Sequence, residues 1–131
     1  MTSSQDSAYA YHLIGAESGL DSASPERLIQ MLLDGALDRI ATARGHVIRA
    51  EPALKGEQIG KAISIVEGLR TSLDPGAGPI SANLEDLYDY VQRRLLEANM
   101  RDDEAILDEV ASLLREIKSA WDVLAEPAAD A

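Results

Sequence analysis

The strongest constraint on the fold is a series of four amphipathic stretches, separated by short segments that cannot continue a helix. In each stretch, apolar residues recur every three or four positions, which places them along one face of an α-helix. The sets in chain order are Ile29, Leu33, Ala36, Ile40, Ala43 and Val47; Ile59, Ala62, Ile63, Val66, Leu69 and Leu73; Leu84, Leu87, Tyr88, Val91, Leu95 and Ala98; and Ile106, Val110, Leu113, Ile117, Ala120 or Trp121, and Leu124. The pattern predicts four amphipathic helices and no strand.

Residues that start and stop helices lie between these stretches. Ser24 followed by Pro25 predicts a helix start, because serine caps free backbone amides and proline suits the first helical position. Residues 49–56 are expected to separate the first helix from the second. Residues 74–79 contain two prolines and two glycines and are expected to separate the second helix from the third.

The short links determine the expected architecture. Asn99 is expected to end the third helix in a left-handed conformation, and Asp102 to cap the fourth. Short connections make neighbouring helices antiparallel, so we expect an all-α, up-down four-helix bundle formed by residues 23–125. Residues 1–22 are expected to be a partly flexible N-terminal segment or short helix that caps the bundle, and residues 126–131 a flexible tail.

Composition excludes several classes of protein. The chain has 131 residues, the length of one domain, and no cysteine for disulfides, thiolate zinc sites or a cysteine nucleophile. A net charge of −11 argues against binding to nucleic acids and to anionic membranes. The chain contains no apolar run of membrane-spanning length and begins without the basic and apolar regions of a signal peptide, so we expect a cytoplasmic protein.

The sequence offers no catalytic or metal-binding motif. A di-iron bundle needs Glu-x-x-His pairs, but Tyr9 and Ala43 stand three residues before the two histidines, His12 and His46. We expect His46 to be solvated or to interact with the last carbonyls of its helix. The acidic residues Asp102, Asp103, Glu104, Asp108 and Glu109 do not have calcium-loop spacing and are expected on a solvated face. We therefore expect neither an enzyme nor a cofactor.

The apolar faces are wider than a bundle core requires. Extra apolar residues flank the main stripes: Leu28, Met31, Leu32, Ile65, Leu96, Leu107 and Leu114. They either widen the core or stay exposed as a groove for an amphipathic partner, and composition does not separate these interpretations. On the groove hypothesis, Ile65→Asp should abolish partner binding without unfolding the protein.

The third helix carries two tyrosines and two adjacent arginines. Tyr88 and Tyr90 are two residues apart, so only one of them easily faces the core, and we expect Tyr90 to be the exposed one. We expect one of Arg93 and Arg94 to be solvated and the other to pair with a carboxylate across the bundle or on a partner.

The N-terminal segment contains an apolar cluster formed by Tyr9, Tyr11 and Ile14. One interpretation is a short helix that caps one end of the bundle. The alternative is a segment that covers the partner groove and leaves when the partner binds.

Four parts of the chain, in this order and spacing, resemble one family, the flagellar secretion chaperones related to FliS. They are residues 23–36 (ASPERLIQMLLDGA); Lys61, Ala62, Ile63, Leu69, Leu73 and Asp74; residues 83–99 (NLEDLYDYVQRRLLEAN); and Asp108, Glu109, Val110, Leu113, Leu114, Ala120 and Trp121. The chain departs from the family in having Leu33 where a tyrosine is usual, and in a longer stretch between Tyr11 and Ala23.

The resemblance implies a function, and the apolar positions beside the stripes, together with the two tyrosines, supply the candidate partner-binding residues. It implies that the partner is the disordered C-terminal segment of flagellin, which the family binds as an extended chain with short helices wrapped around the bundle. The residues expected to contact it are Leu28, Met31, Leu32, Ile65, Tyr88, Tyr90 and Leu96. The flagellar export gate, a regulatory protein and a second copy of the chain are further candidate partners, and the alternative function is a helical adaptor that binds another amphipathic partner.

Overall fold

The computed structural model describes residues 24–125, which form four long α-helices and no strand. The helices are α1 (Pro25–Ile48), α2 (Pro52–Thr71), α3 (Pro79–Arg101) and α4 (Glu104–Ala125), and a 3₁₀ turn (Pro75–Ala77) lies between α2 and α3. The predicted four helices are thus confirmed. The expected N-terminal cap and C-terminal tail lie outside the described residues.

The first helix begins where the sequence predicts, but the link that follows it is shorter than expected. The Ser24 hydroxyl accepts a hydrogen bond from the Arg27 amide at 3.0 Å, which caps α1. α1 ends at Ile48 and α2 already begins at Pro52, so Gly56 lies inside α2 rather than in the break. Pro52 occupies the first turn, where its missing amide hydrogen removes no helical hydrogen bond, and so it starts α2 instead of interrupting it.

The link between α2 and α3 is built from residues suited to tight turns. The Asp74 carboxylate accepts a hydrogen bond from the Gly76 amide at 2.9 Å, and the Asp74 carbonyl accepts one from the Ser81 hydroxyl. Gly78 has a φ of 74°, a conformation that a side chain would strain, and Pro79 follows it as the first residue of α3.

The third helix continues further than predicted. Asp102, not Asn99, adopts the left-handed conformation, with φ 52° and ψ 45°, and α3 ends at Arg101. Asp103, not Asp102, caps α4, because its carboxylate accepts hydrogen bonds from two backbone amides of the first turn at 2.9 and 3.4 Å. Aspartate suits both a left-handed helix end and an N-cap. Two adjacent aspartates therefore do not show in the sequence where α3 ends and α4 begins.

The helices form an antiparallel bundle in which α1 and α3 each pack against both α2 and α4. Side-chain pairs link neighbouring helices. Arg44 of α1 contacts Asp108 of α4 at 2.8 Å, and Arg70 of α2 contacts Glu85 of α3 at 2.6 Å. None of the four described helices is long and apolar enough to cross a membrane.

The core is wider than one stripe per helix, because every helix packs against two neighbours. Four residues expected beside the main stripes are buried in the core: Leu32, Ile65, Leu107 and Leu114. Tyr88, which belongs to the main stripe of α3, is buried as well. Conversely, Leu87, which was expected in the core, is 36% exposed. The groove interpretation of Leu32 and Ile65 was therefore wrong about where these side chains lie.

Candidate interaction surface

Three of the seven residues expected to contact a partner are not accessible in this structure. Leu32, Ile65 and Tyr88 have between 0% and 2% of their surface exposed. Burial raises the pKa of the Tyr88 hydroxyl to about 12, as expected for a phenol transferred from water into the core. These three side chains stabilise the bundle, and the four remaining candidates form the accessible part of the predicted set.

Leu28 and Met31 lie near the start of α1, on its flank beside α2. Leu28 stands three turns before Arg39 on the same side of the helix, and the Arg39 guanidinium donates to the Gln58 side chain of α2 at 3.3 Å. Met31 stands one turn after Leu28. Both candidate side chains are partly buried, and Leu28 packs against the core. This pair therefore offers limited apolar surface along the α1–α2 seam.

Leu96 lies on the flank of α3 that faces α2. One turn before it, the Gln92 amide donates to the Ile63 carbonyl of α2 at 3.3 Å, and one turn after it, the Asn99 carbonyl accepts a hydrogen bond from Lys55 of α2 at 2.8 Å. Leu96 is nevertheless 54% exposed, and Met100, one further turn along, is exposed as well. This is the most accessible apolar site among the predicted residues.

Tyr90 lies on the opposite flank of α3, beside α4. Its hydroxyl donates a hydrogen bond to the Glu109 carboxylate of α4, which also accepts one from the Arg94 guanidinium at 3.0 Å. The Tyr90 hydrogen bond, and then that of Arg94, hold the pKa of Glu109 below its ordinary value. Tyr90 is thus less buried than Tyr88, as predicted, but its polar end already has a partner within the bundle.

The two adjacent arginines of α3 lie in different environments, as expected. Arg94 pairs with Glu109 across the bundle and, at 2.7 Å, with Glu97 on its own helix. Arg93 is 64% exposed, pairs with Asp89 at 2.9 Å, and lies 5.7 Å from the centre of the Tyr90 ring. The prediction of one solvated arginine and one arginine paired across the bundle is confirmed.

The four accessible candidates lie on three different seams of the bundle. Leu28 and Met31 lie beside the α1–α2 seam, Leu96 beside α2–α3, and Tyr90 beside α3–α4. Side chains three or four residues apart share a helix face, whereas Tyr90 and Leu96, six apart, lie about 120° from each other around α3. A single straight helix in one groove cannot contact all four, but an extended segment that passes around the bundle can.

A buried lysine near this surface is not predictable from the sequence pattern. Lys55 is 5% exposed, and its ammonium group donates to the Asn99 carbonyl and to the Asp102 carboxylate. These contacts neutralise the charge and satisfy two of its three donors. A lysine in the first turn of a helix is ordinarily solvated, so only the position of α3 explains why this one is buried.

One expectation about polar residues needs correction. His46 is not solvated: its side chain is 13% exposed, and Nδ1 lies 2.7 Å from a carboxylate oxygen of Glu51. The acidic residues around the start of α4 lie at the exposed surface, as predicted, and two of them, Glu104 and Asp108, also pair there with Arg44. Among residues 24–125, no group of acidic or histidine side chains is arranged to hold a metal ion.

The N-terminal candidates lie outside the described residues. Tyr9, Tyr11 and Ile14 precede the first described residue, so both interpretations of that cluster stay predictions.

The chain is similar to known proteins over nearly its whole length. Residues 7–128 match a family described as "Flagellar protein FliS". The chain is 47% identical over 113 residues to the flagellar secretion chaperone FliSB of Pseudomonas aeruginosa, covering 86% of this chain and 90% of that protein. It is 45% identical over 114 residues to the flagellar secretion chaperone FliS of Salmonella typhimurium, with coverage of 86% and 84%.

A third relative extends the same pattern. The flagellar secretion chaperone FliS of Vibrio cholerae is 38% identical over 117 residues, covering 88% of this chain and 86% of that protein. The matched region includes all four helices, and the relatives are named as chaperones, which confirms the prediction of a non-enzymatic helical protein. The chain therefore belongs to the FliS family of flagellar secretion chaperones.

Proposed function

We propose that this chain binds the disordered C-terminal segment of flagellin in the cytoplasm, prevents its premature polymerisation and keeps it competent for export by the flagellar type III secretion apparatus. Membership of a family whose curated members are named flagellar secretion chaperones supports this function. A disordered client loses conformational entropy on binding, so it must bury a large surface to gain useful affinity.

The observation that carries the proposal is the position of the accessible candidates on three seams. Leu28 and Met31, Leu96, and Tyr90 offer contacts to one extended segment that follows the bundle surface. Leu96 contributes most among them, because its side chain is 54% exposed, and burying that remaining half stabilises a complex by about 0.8–1.6 kcal/mol. Three separate seams also allow the client to detach stepwise at the export apparatus.

Isothermal titration calorimetry with the flagellin C-terminal segment tests the proposal. The unchanged protein should bind the segment, and Leu96→Asp should weaken binding by roughly tenfold or more through loss of this contact. Ile48→Asp is the matched control. Ile48 is similarly exposed, at 58%, but stands one turn after Arg44 on the flank of α1 that faces α4, where no candidate residue lies.

Circular dichroism of both variants should show unchanged helical content, because both side chains lie at the surface. Absence of binding by the unchanged protein would overturn the proposed function. Equal weakening by Leu96→Asp and Ile48→Asp would reject the assignment of Leu96 to the client surface.

The N-terminal segment gives a second, separable proposal, in which Tyr9, Tyr11 and Ile14 cover part of the client surface until the client displaces them. Deletion of residues 1–15 should then leave the thermal midpoint unchanged and tighten client binding, because the displacement cost is removed. A lower midpoint without tighter binding would show that the segment only stabilises the bundle.

A further inference from the structure

The seam between α3 and α4 is linked by polar side chains at one level only. Among the described residues, every side-chain hydrogen bond or ion pair between these two helices involves Glu109, which accepts from Tyr90 and Arg94. Among the side chains that the structure describes, no such link joins residues 79–89 of α3 to residues 110–123 of α4. The seam is therefore held together near its middle and has an unlinked half toward the start of α3.

Apolar side chains line this unlinked half, which we call the α3–α4 groove. Leu87 stands one turn before Tyr90, and Leu113 stands one turn after Glu109, so both lie on the facing flanks of antiparallel helices. Leu113 packs against the core and stays partly exposed, while Leu87 is more than a third exposed. The groove thus has an apolar floor that reaches solvent.

The rims of the α3–α4 groove carry negative charge. Asp86 stands one turn before Tyr90 on α3, and Glu116 stands two turns after Glu109 on α4, so the two carboxylates flank the groove from opposite sides. Both residues are exposed, and neither forms an ion pair with another described residue. By contrast, Glu85 and Asp89 on the other flank of α3 pair with Arg70.

We propose that the α3–α4 groove binds an amphipathic stretch of the client that carries lysine or arginine beside its apolar residues. This inference rests on the proposed function and adds to it an extension of the Tyr90 contact along the α3–α4 seam and a charge requirement. Leu87 and Leu113 supply apolar contact, and the two rim carboxylates favour a basic segment over an acidic one. Exposed charge pairs contribute little affinity individually, so the rims select the client's register and orientation more than they hold it.

Charge reversal at the rims tests the inference with the full-length protein and the flagellin C-terminal segment. Asp86→Lys and Glu116→Lys each replace attraction by repulsion and should weaken binding about fivefold at low salt. The effect should shrink as salt rises from about 0.05 M to about 0.5 M, because screening acts on exposed charges. Asp38→Lys is the matched control: Asp38 is exposed, lies on α1, and forms no ion pair with a described residue.

A flagellin C-terminal segment whose lysines and arginines are replaced by glutamine completes a double-mutant cycle. With this segment, Asp86→Lys and Glu116→Lys should no longer weaken binding. If the unchanged protein does not bind the flagellin segment, both the proposed function and this inference fail. If it binds but the two rim variants match Asp38→Lys, the inference alone fails. Sedimentation velocity in which the rim variants convert a dimer to a monomer would assign the groove to a second copy of the chain and overturn the inference.

Discussion

The substitution that separates core from client surface most sharply is Ile65→Ala, compared with Leu96→Ala. Both residues are apolar, both flank the main stripe of their helix, and the sequence assigned both to the partner surface. Ile65 is 2% exposed and Leu96 is 54% exposed. Truncation of Ile65 should therefore lower the stability of the bundle, whereas truncation of Leu96 should weaken client binding. The bundle explains this difference, because Ile65 lies among residues buried between packed helices.

The expected loss of stability follows from the burial of Ile65. Truncation to alanine removes three buried carbons, which costs roughly 2.4 kcal/mol at about 0.8 kcal/mol each, before any cavity is counted. A residual cavity brings the total to about 3–4 kcal/mol, within the usual range for such substitutions. For a domain of this size the thermal midpoint should fall by roughly 10–15 °C. Leu96→Ala should change stability by less than about 0.5 kcal/mol.

Urea unfolding followed by circular dichroism measures both free energies, and calorimetry with the flagellin segment measures client binding. Ile65→Ala should be destabilised and, at a temperature where it stays folded, should bind the client normally. Leu96→Ala should be as stable as the unchanged protein and bind more weakly. A stable Ile65→Ala protein that has lost client binding would refute the assignment of Ile65 to the core and restore its groove interpretation.

Three further predictions concern polar contacts that stabilise the bundle. Lys55→Met should lower the free energy of unfolding by about 1–3 kcal/mol in urea titrations, because it removes the hydrogen bonds to Asn99 and Asp102 while keeping the apolar stem. Asp103→Ala should cost about 1 kcal/mol in the same assay through loss of the α4 cap. The pKa of Glu109 lies below its ordinary value, so its contribution to stability is present above about pH 4.5 and is lost as pH falls through the lowered pKa. Thermal midpoints should therefore fall less between about pH 6 and about pH 3 in Glu109→Gln than in the unchanged protein, and equal falls would contradict this contribution.

The sequence predicts the number of helices and their antiparallel order, because the apolar spacing and the turn residues act locally. The start of α1 at Pro25 depends on one serine and one proline and is predicted correctly. The end of α3 is not predicted correctly, because Asn99, Asp102 and Asp103 all suit a helix end. Only the path of the chain into α4 selects among these three residues.

The candidate surface is harder to predict because a residue beside the main stripe can face either a neighbouring helix or solvent. Ile65 and Leu96 occupy similar positions in their patterns, yet packing buries one and leaves the other exposed. Leu87 lies on the expected core face of α3 but reaches the unlinked half of the α3–α4 seam, where less of it is covered. Such distinctions depend on the distance between helices, which periodicity does not contain.

The bundle and its surface suggest how one small protein can hold a long disordered segment. Each seam carries only one or two of the accessible candidates, so on the proposed function no single contact would make the complex irreversible. Contacts at Leu28 and Met31, at Leu96, and at the α3–α4 groove would be made by successive parts of the same client. On the proposed function, their combined area would offset the client's ordering cost, while loss of any one contact would let the next detach.

Seeded polymerisation of purified flagellin, followed by light scattering, tests the central claim most directly. With the chaperone in slight molar excess over flagellin, filament growth should stop, and the Leu96→Asp variant should restore much of that growth while Ile48→Asp inhibits as the unchanged protein does. Filament growth at the same rate with and without the unchanged chaperone would contradict the claim that this bundle holds flagellin in a form unable to polymerise.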